Sequence, residues 1–329
     1  MNEHSSVSHM PDKSIQYSPL ESSPVFFVHI PKTAGTSLRA AIEMLGDIHC
    51  DYGVESEFTH ELIRELRYEH QDAFALKNSF INKPFSVAGH VPMQKYSDLY
   101  DVRRIITFVR EPIAQVISHY NHHVNLLGYE GDFESFYHRD VMSNLQSRYL
   151  AGLPLSLLGH VGITECYNDS VDQINEGVGL ALNKLEKNLR LNAHKDKSDI
   201  TDEEHSLILK RNSLDSELYN KAIALHQQRL SVRHEGKSWT HIHARVGDTG
   251  VIHGCAYFAD SDETVSLYLE VEGNIVATLE AKDFYSPFAK FQLPRHRYVG
   301  FRVSLKKWLT KCPTNIKLIV VSTGQEYSV

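Results

Sequence analysis

At 329 residues, 42% hydrophobic and 23% charged, the chain has room for one large or two ordinary globular domains. Its net charge of −7 argues against general nucleic-acid binding, which needs a basic surface, and leaves open a local basic cleft for an anionic sugar. No run of about 18 apolar residues occurs, so no membrane-inserted span is expected.

Residues 1–23 are polar and rich in Ser, His and Pro, which predicts a disordered tail without the apolar core of a signal peptide. The next segment is the most informative: Val25-Phe-Phe-Val-His-Ile-Pro-Lys-Thr-Ala-Gly-Thr-Ser-Leu-Arg39. Val25 to Ile30 reads as a buried parallel strand that stops at Pro31. A short loop leads into an amphipathic helix carrying Leu38, Ala41, Ile42 and Leu45. Strand, tight loop and helix start make backbone N–H groups converge on an anion. Lys32 adds a point charge, and Thr33, Thr36 and Ser37 add hydroxyls. The segment is therefore expected to hold a phosphate-bearing ligand. It is not a Walker A loop, because Lys32 precedes Gly35 and no lysine precedes Thr36-Ser37.

Apolar stripes predict a helix at about 57–77 (Phe58, Leu62, Leu66, Phe74) with its stripe in the core. Phe85-Ser-Val-Ala-Gly-His-Val-Pro-Met93 is a further strand, ending at Gly89-His90. Ile105 to Val109 is another buried strand, with Arg110 at its carboxyl end and Pro112 suited to the first turn of the next helix. Ligands of open α/β sheets sit outside the carboxyl ends of the strands, so His90 and Arg110 should face the same crevice as the loop. The alternative for Arg110 is an ion pair with Glu111. For His90, a lone histidine, it is a structural role.

Pro31-Lys-Thr-Ala-Gly-Thr-Ser37 resembles the 5′-phosphosulfate loop of sulfotransferases that use 3′-phosphoadenosine 5′-phosphosulfate (PAPS). Arg110 and Ser118 have the spacing of the family's 3′-phosphate contacts. Gly89-His90-Val91 resembles the carbohydrate branch, including the uronyl 2-O-sulfotransferases, where this histidine is the base. Some of those enzymes carry a second histidine two positions earlier. Ala88 stands there, so no histidine pair is expected. Asn144–Gly152, Val161–Tyr167 and Asn212–Ala222 look like the same branch, and the resemblance covers about 24–232.

The resemblance implies a nucleotide-kinase-like α/β fold with a parallel sheet. It implies His90 and Lys32 as catalytic residues. Lys32, Thr33, Ala34, Gly35, Thr36 and Ser37 would hold the 5′-phosphate, and Arg110 and Ser118 the 3′-phosphate. Arg148 is a candidate donor or acceptor contact, with a fold-stabilising ion pair as the alternative. His119, His122 and His123 would flank the cleft; His119 and His123 lie one turn apart, but no third metal ligand accompanies them, and no metal is required. The donor would be PAPS, the product 3′-phosphoadenosine 5′-phosphate (PAP), and the acceptor a carbohydrate hydroxyl. The rival readings are a P-loop kinase or NTPase, and a non-catalytic glycan-binding protein.

Two more helices are expected at about 170–186 and 215–232. Near Glu235-Gly236 the texture changes to short β-rich runs: 241–246, 250–259, 264–271, 274–279, 298–303 and 316–321. Glu272-Gly273-Asn274 reads as a hairpin turn. These runs predict a C-terminal β-sandwich over 236–329, appended to an α/β domain over 24–235. The sandwich loosely resembles modules attached to bacterial glycan-modifying enzymes, for carbohydrate binding or self-association; a passive appended domain is the alternative. His241 and His243 alternate on one strand face, for which packing or solvent exposure is sufficient reason. Cys50, Cys166, Cys255 and Cys312 are widely spaced and read as free thiols. With no membrane anchor in view, the expectation is a cytoplasmic bacterial enzyme, compatible with a homo-oligomer.

Overall fold

The computed structural model describes residues 24–185, 193–307 and 315–329. The predicted tail over 1–23, the last residue of the 170–186 helix and Cys312 lie outside them. The first half builds β1 (Phe26–Val28), α1 (Gly35–Glu43), β2 (Ile48–Asp51), α2 (Glu61–Ile63), α3 (Ala73–Asn82), β3 (Ser86–Gly89), β4 (Ile105–Val109), α4 (Pro112–Leu126), α5 (Phe133–Tyr137), α6 (Leu145–Tyr149), β5 (His160–Ile163), α7 (Tyr167–Ile174), α8 (Asp202–Arg211) and α9 (Ser213–His234). β1 to β5 form one parallel sheet in the order β2-β3-β1-β4-β5. The chain leaves β1 to one side for β2 and β3, then crosses to the other for β4 and β5. Such a switch opens a crevice at the carboxyl ends of the strands.

Strand alternation decides what each face of β1 meets. Val25 and Phe27 pack with Leu38, Ala41 and Ile42 of α1 and with Val171 and Ile174 of α7. Phe26, Val28 and Ile30 join the larger core on the opposite face.

The C-terminal part builds β6 (Thr240–Val246), β7 (Val251–Phe258), β8 (Ser266–Val271), β9 (Asn274–Glu280), β10 (Asp283–Phe284), β11 (Tyr298–Ser304), β12 (Ile316–Val320) and β13 (Glu326–Ser328). They form two antiparallel sheets, β10-β11-β7-β6 and β13-β12-β8-β9. Ile242, Ile252, Ala256 and Phe301 of one sheet pack against Leu267, Leu269, Leu318 and Val320 of the other. All six predicted runs are strands. Glu272 and Gly273 both have positive φ, 49° and 80°, as a type I′ hairpin turn requires.

The sandwich is more than a loose appendage. Cys255, Tyr257, Phe291, Leu293 and Val299 belong to the same buried cluster as Phe26, Val28 and Ile105. Tyr257 donates its hydroxyl to the Leu157 carbonyl (2.5 Å), and Arg103 bridges Asp101 and Asp262, each at 2.9 Å. His160 and His241 are fully buried at this junction. His241 Nδ1 lies 2.9 Å from the Ser156 carbonyl, and Arg229 contacts His160 Nδ1.

Two predicted helices are shorter than their apolar stripes. The helical stretch from Glu61 runs on through a wider turn at Arg64–Glu69 and then breaks. Gln71 takes a left-handed φ of 53°, and the Asp72 carboxylate caps the restart at α3 by accepting from Ala75 N. Leu62 and Leu66 face the core, while Phe58 and Phe74 are 68% and 73% exposed. The second helix ends at Gly179 (φ 68°), where the Asn175 side chain bonds both N–H and C=O of Leu182. α9 matches its prediction.

Burial, followed by the nearby Arg229 charge, drives the pKa values of His160 and His241 well below 6.5. The unfolded chain therefore takes up protons before the folded one does. Stability from these groups is full above about pH 6.5 and drains away as pH falls toward the folded-state values. Thermal melts should lose midpoint steadily from pH 7 to pH 5, ahead of carboxylate titration. A flat midpoint over that window would contradict the buried neutral imidazoles.

Candidate active site

The carboxyl ends of all five parallel strands open into one cleft of about 780 Å³. Tyr52 follows β2, His90 follows β3, His29 and Lys32 follow β1, Arg110 follows β4 and Thr164 follows β5, and all line it. α1 adds Gly35, Thr36, Ser37 and Arg39. α4 adds Ser118, His119, His122 and His123. No Asp or Glu lines the cleft among the described residues. Lys32, Arg39, Arg110 and five imidazoles meet in this lining, in a chain of net charge −7.

The loop between β1 and α1 is bent to present its amides. Lys32 and Ala34 both take left-handed backbone, φ 67° and 65°, on either side of Thr33. Alternating hand turns successive N–H groups toward one concavity, the nest that binds anions. Such strain costs roughly 1–3 kcal/mol per residue and persists only where the surroundings enforce it. Here Gln115 Nε2 donates to the Pro31 carbonyl (3.1 Å) and an Arg110 guanidinium N–H to the Lys32 carbonyl (3.2 Å). Thr33 differs from expectation. Its side chain is fully buried and donates to the Ile30 carbonyl (2.9 Å), so it braces the loop while Thr36 and Ser37 face the cleft.

Arg110 is held by its own backbone. The Gln146 amide, fully buried, accepts from Arg110 N and donates to Arg110 O, both at 2.9 Å. The Asp215 carboxylate in turn accepts from Gln146 N (3.0 Å) and Ser147 N (2.7 Å). Asn144 N donates to Asn212 Oδ1 (2.8 Å) and Asn144 Oδ1 accepts from Leu214 N (3.0 Å), so the two later motifs are one brace beneath Arg110. Glu111 caps α4 and pairs with Lys197 (3.2 Å); Arg110 forms no salt bridge among the described residues, and Glu165 and Glu111 act on it only at longer range. Its Nε is buried without a partner.

Arg148 lies outside the cleft: its guanidinium is exposed and donates to the Val141 carbonyl (2.6 Å). The informative residue of that segment is Gln146, two positions earlier. A buried amide clamping a backbone carries no motif of its own.

Ala88 does remove the histidine partner on β3, but His29 supplies one from β1. The rings of His29 and His90 lie 4.5 Å apart at 68°. His29 Nδ1 is 3.0 Å from the Tyr52 hydroxyl, and the Tyr52 ring lies 4.7 Å from that of His90. His29 was legible in Val-His-Ile-Pro-Lys, but strand neighbourhood is a tertiary fact.

Burial and neighbouring positive charge act together on the ionisable groups. His90 falls to about 4, through desolvation by the cleft walls and then through His122 and Lys32, although its outer edge stays open to solvent. His119 falls to about 3, by burial and then by His123 and His122. Burial, then Arg110, lowers Lys32, and burial lowers Arg110. Lys32 and Arg110 would each gain from a bound anion. The His119 and His123 rings are 4.9 Å apart, and no group of three His, Cys, Asp or Glu side chains among the described residues is arranged to hold a metal. Cys50, Cys166 and Cys255 are free thiols. No helix among the described residues is long and apolar enough to cross a membrane.

No protein-family model and no curated protein sequence matches the chain.

Gly35 is required by close approach, since a Cβ there would overlap the buried His29 ring. Gly35→Ala should cost about 1–3 kcal/mol in chemical denaturation, the scale of an overpacked site. An unchanged midpoint would contradict the tight loop-to-ring contact.

Proposed function

We propose that the chain is a sulfotransferase that moves a sulfuryl group from PAPS to a carbohydrate hydroxyl, on a nucleotide-kinase-like sulfotransferase fold. The observation that carries this reading is a cation- and imidazole-lined cleft, with an amide nest at one part and a braced arginine at another, and no carboxylate in its lining. Two separate anion-binding elements suit a donor phosphorylated at both ends. The nest of residues 33–37 would take the 5′-phosphate, with the Thr36 and Ser37 hydroxyls. Arg110 and Ser118 would take the 3′-phosphate, through the planar fork of the guanidinium.

In the proposed reaction the acceptor oxygen attacks sulfur in line. The bond from sulfur to the bridging oxygen of the 5′-phosphate breaks, and PAP leaves with that electron pair. His90 takes the acceptor proton; its low pKa keeps it neutral, and so able to act as a base, at pH 7. Lys32 would stabilise charge building on the leaving phosphate. A kinase or NTPase reading is less well supported, because a magnesium-bound triphosphate calls for an acidic ligand that the cleft lining lacks. A non-catalytic glycan binder would not need His90 and Lys32 beside a donor nest. A cytoplasmic bacterial setting is part of this proposal.

His90→Ala should cut transfer from radiolabelled PAPS to acceptors in a glycan panel by about 10²–10⁴-fold and leave PAP affinity nearly intact. Wild-type turnover in that variant would remove the base assignment. Arg110→Ala should weaken PAP by about 1.5–3 kcal/mol in calorimetric titration and leave AMP, which lacks the 3′-phosphate, nearly unaffected. Equal losses for both nucleotides would contradict the 3′-phosphate site.

A further inference from the structure

A histidine base needs a partner that fixes its ring, and in hydrolytic triads that partner is a carboxylate. His90 has none. The nearest acid in sequence to Tyr52 is Asp51, and strand alternation turns it to the opposite face. There it is fully buried and bonded to Lys95 Nζ (2.6 Å), the Tyr68 hydroxyl (2.6 Å) and the Tyr96 hydroxyl (2.5 Å). What His90 meets are two neutral rings, His29 at 4.5 Å and 68° and Tyr52 at 4.7 Å and 86°, both edge to face.

These two rings are themselves immobilised. His29 stacks on Phe27 (5.3 Å, 14°), abuts Gly35 where no Cβ intervenes, and shares a 3.0 Å hydrogen bond with the Tyr52 hydroxyl. Tyr52 N donates to Thr59 Oγ1 (3.0 Å), whose hydroxyl donates to the Gly53 carbonyl (2.6 Å). Burial raises the Tyr52 phenol above its usual range, so it keeps its proton. With that proton directed at Nδ1, His29 would carry its own on Nε2.

We propose that His29 and Tyr52 are a coupled positioning pair that holds the His90 imidazole in its working orientation, taking the place a carboxylate would otherwise fill. The proposal rests on the reading of His90 as the base. Its chemical logic follows from the ligand. A donor carrying phosphates at both ends would be repelled by an acid beside the base, whereas a neutral imidazole and phenol orient His90 without adding negative charge. After proton transfer, the aromatic neighbours also suit an imidazolium.

The test uses the full chain, wild type and the variants Tyr52→Phe, His29→Gln and the double mutant. The His90 ring is titrated by ¹H–¹³C NMR, PAP affinity is measured by calorimetry, and sulfuryl release is followed from PAPS alone and with a glycan panel. Both single variants should move the His90 midpoint upward by roughly one pH unit as the released ring turns further into solvent. They should lower sulfuryl release by roughly 10- to 100-fold with PAP affinity within about twofold. The double mutant should be no worse than the more damaged single one, because the two residues act as a unit. An unmoved His90 midpoint in folded variants, or fully additive losses, overturns the pair. Tyr52→Phe removes a single hydroxyl, so it tests the pair even where His29→Gln fails to fold. Absence of PAP binding by the wild type would defeat the sulfotransferase reading instead, and the NMR titration would still decide the positioning role.

Discussion

Basic side chains gathered in a desolvated cleft are the constraint on which the site depends. Lys32, Arg39, Arg110 and five imidazoles face one another there with no carboxylate in the lining. Burial comes first in lowering the pKa values of Lys32, Arg110, His90 and His119, and repulsion from neighbouring positive groups adds to it at Lys32, His90 and His119. Arg39 pairs with Glu43, and at Arg110 and the loop the fold sustains this by bracing the backbone. Gln146 grips Arg110 through its peptide groups, Asp215 grips Gln146, and Gln115 grips the loop at Pro31. Stability is spent to leave side-chain charge available for a ligand.

The same logic extends to the acids. Asp51 and Glu111 both sit within one residue of a cleft-lining group, and both are engaged elsewhere. Asp51 is buried against Lys95 and two tyrosines, and Glu111 caps a helix and meets Lys197. The sandwich contributes at longer range. Its Cys255, Tyr257 and Val299 complete the core beneath β1 and β4, so the strands that aim His29 and Arg110 rest partly on residues of the C-terminal half.

Much of the fold was legible because its signals are local. The apolar run of β1, its stop at Pro31 and the periodic helix after it specify a strand, loop and helix without outside help. The six C-terminal strands announced themselves by alternation between turn residues. What was not legible depended on tertiary neighbourhood. Thr33 looks like a ligand-facing hydroxyl until the loop's left-handed bends turn it toward Ile30. Arg148 attracts attention as a charge, yet the buried neutral Gln146 matters more. The helix expected over 57–77 failed because Phe58 and Phe74 were counted as core, and both are exposed around a break at Gln71-Asp72. The missing histidine on β3 is matched by one on β1 only because those strands are sheet neighbours, with Val28 opposite Gly89.

The most direct measurement is a crystal structure of the chain with PAP bound. The account predicts the 5′-phosphate seated on the amides of residues 33–37 and the 3′-phosphate on Arg110 and Ser118, with His90 at the open end beyond the 5′-phosphate. A nucleotide bound away from the cleft, or lying in it with either phosphate unattached to these groups, would contradict it.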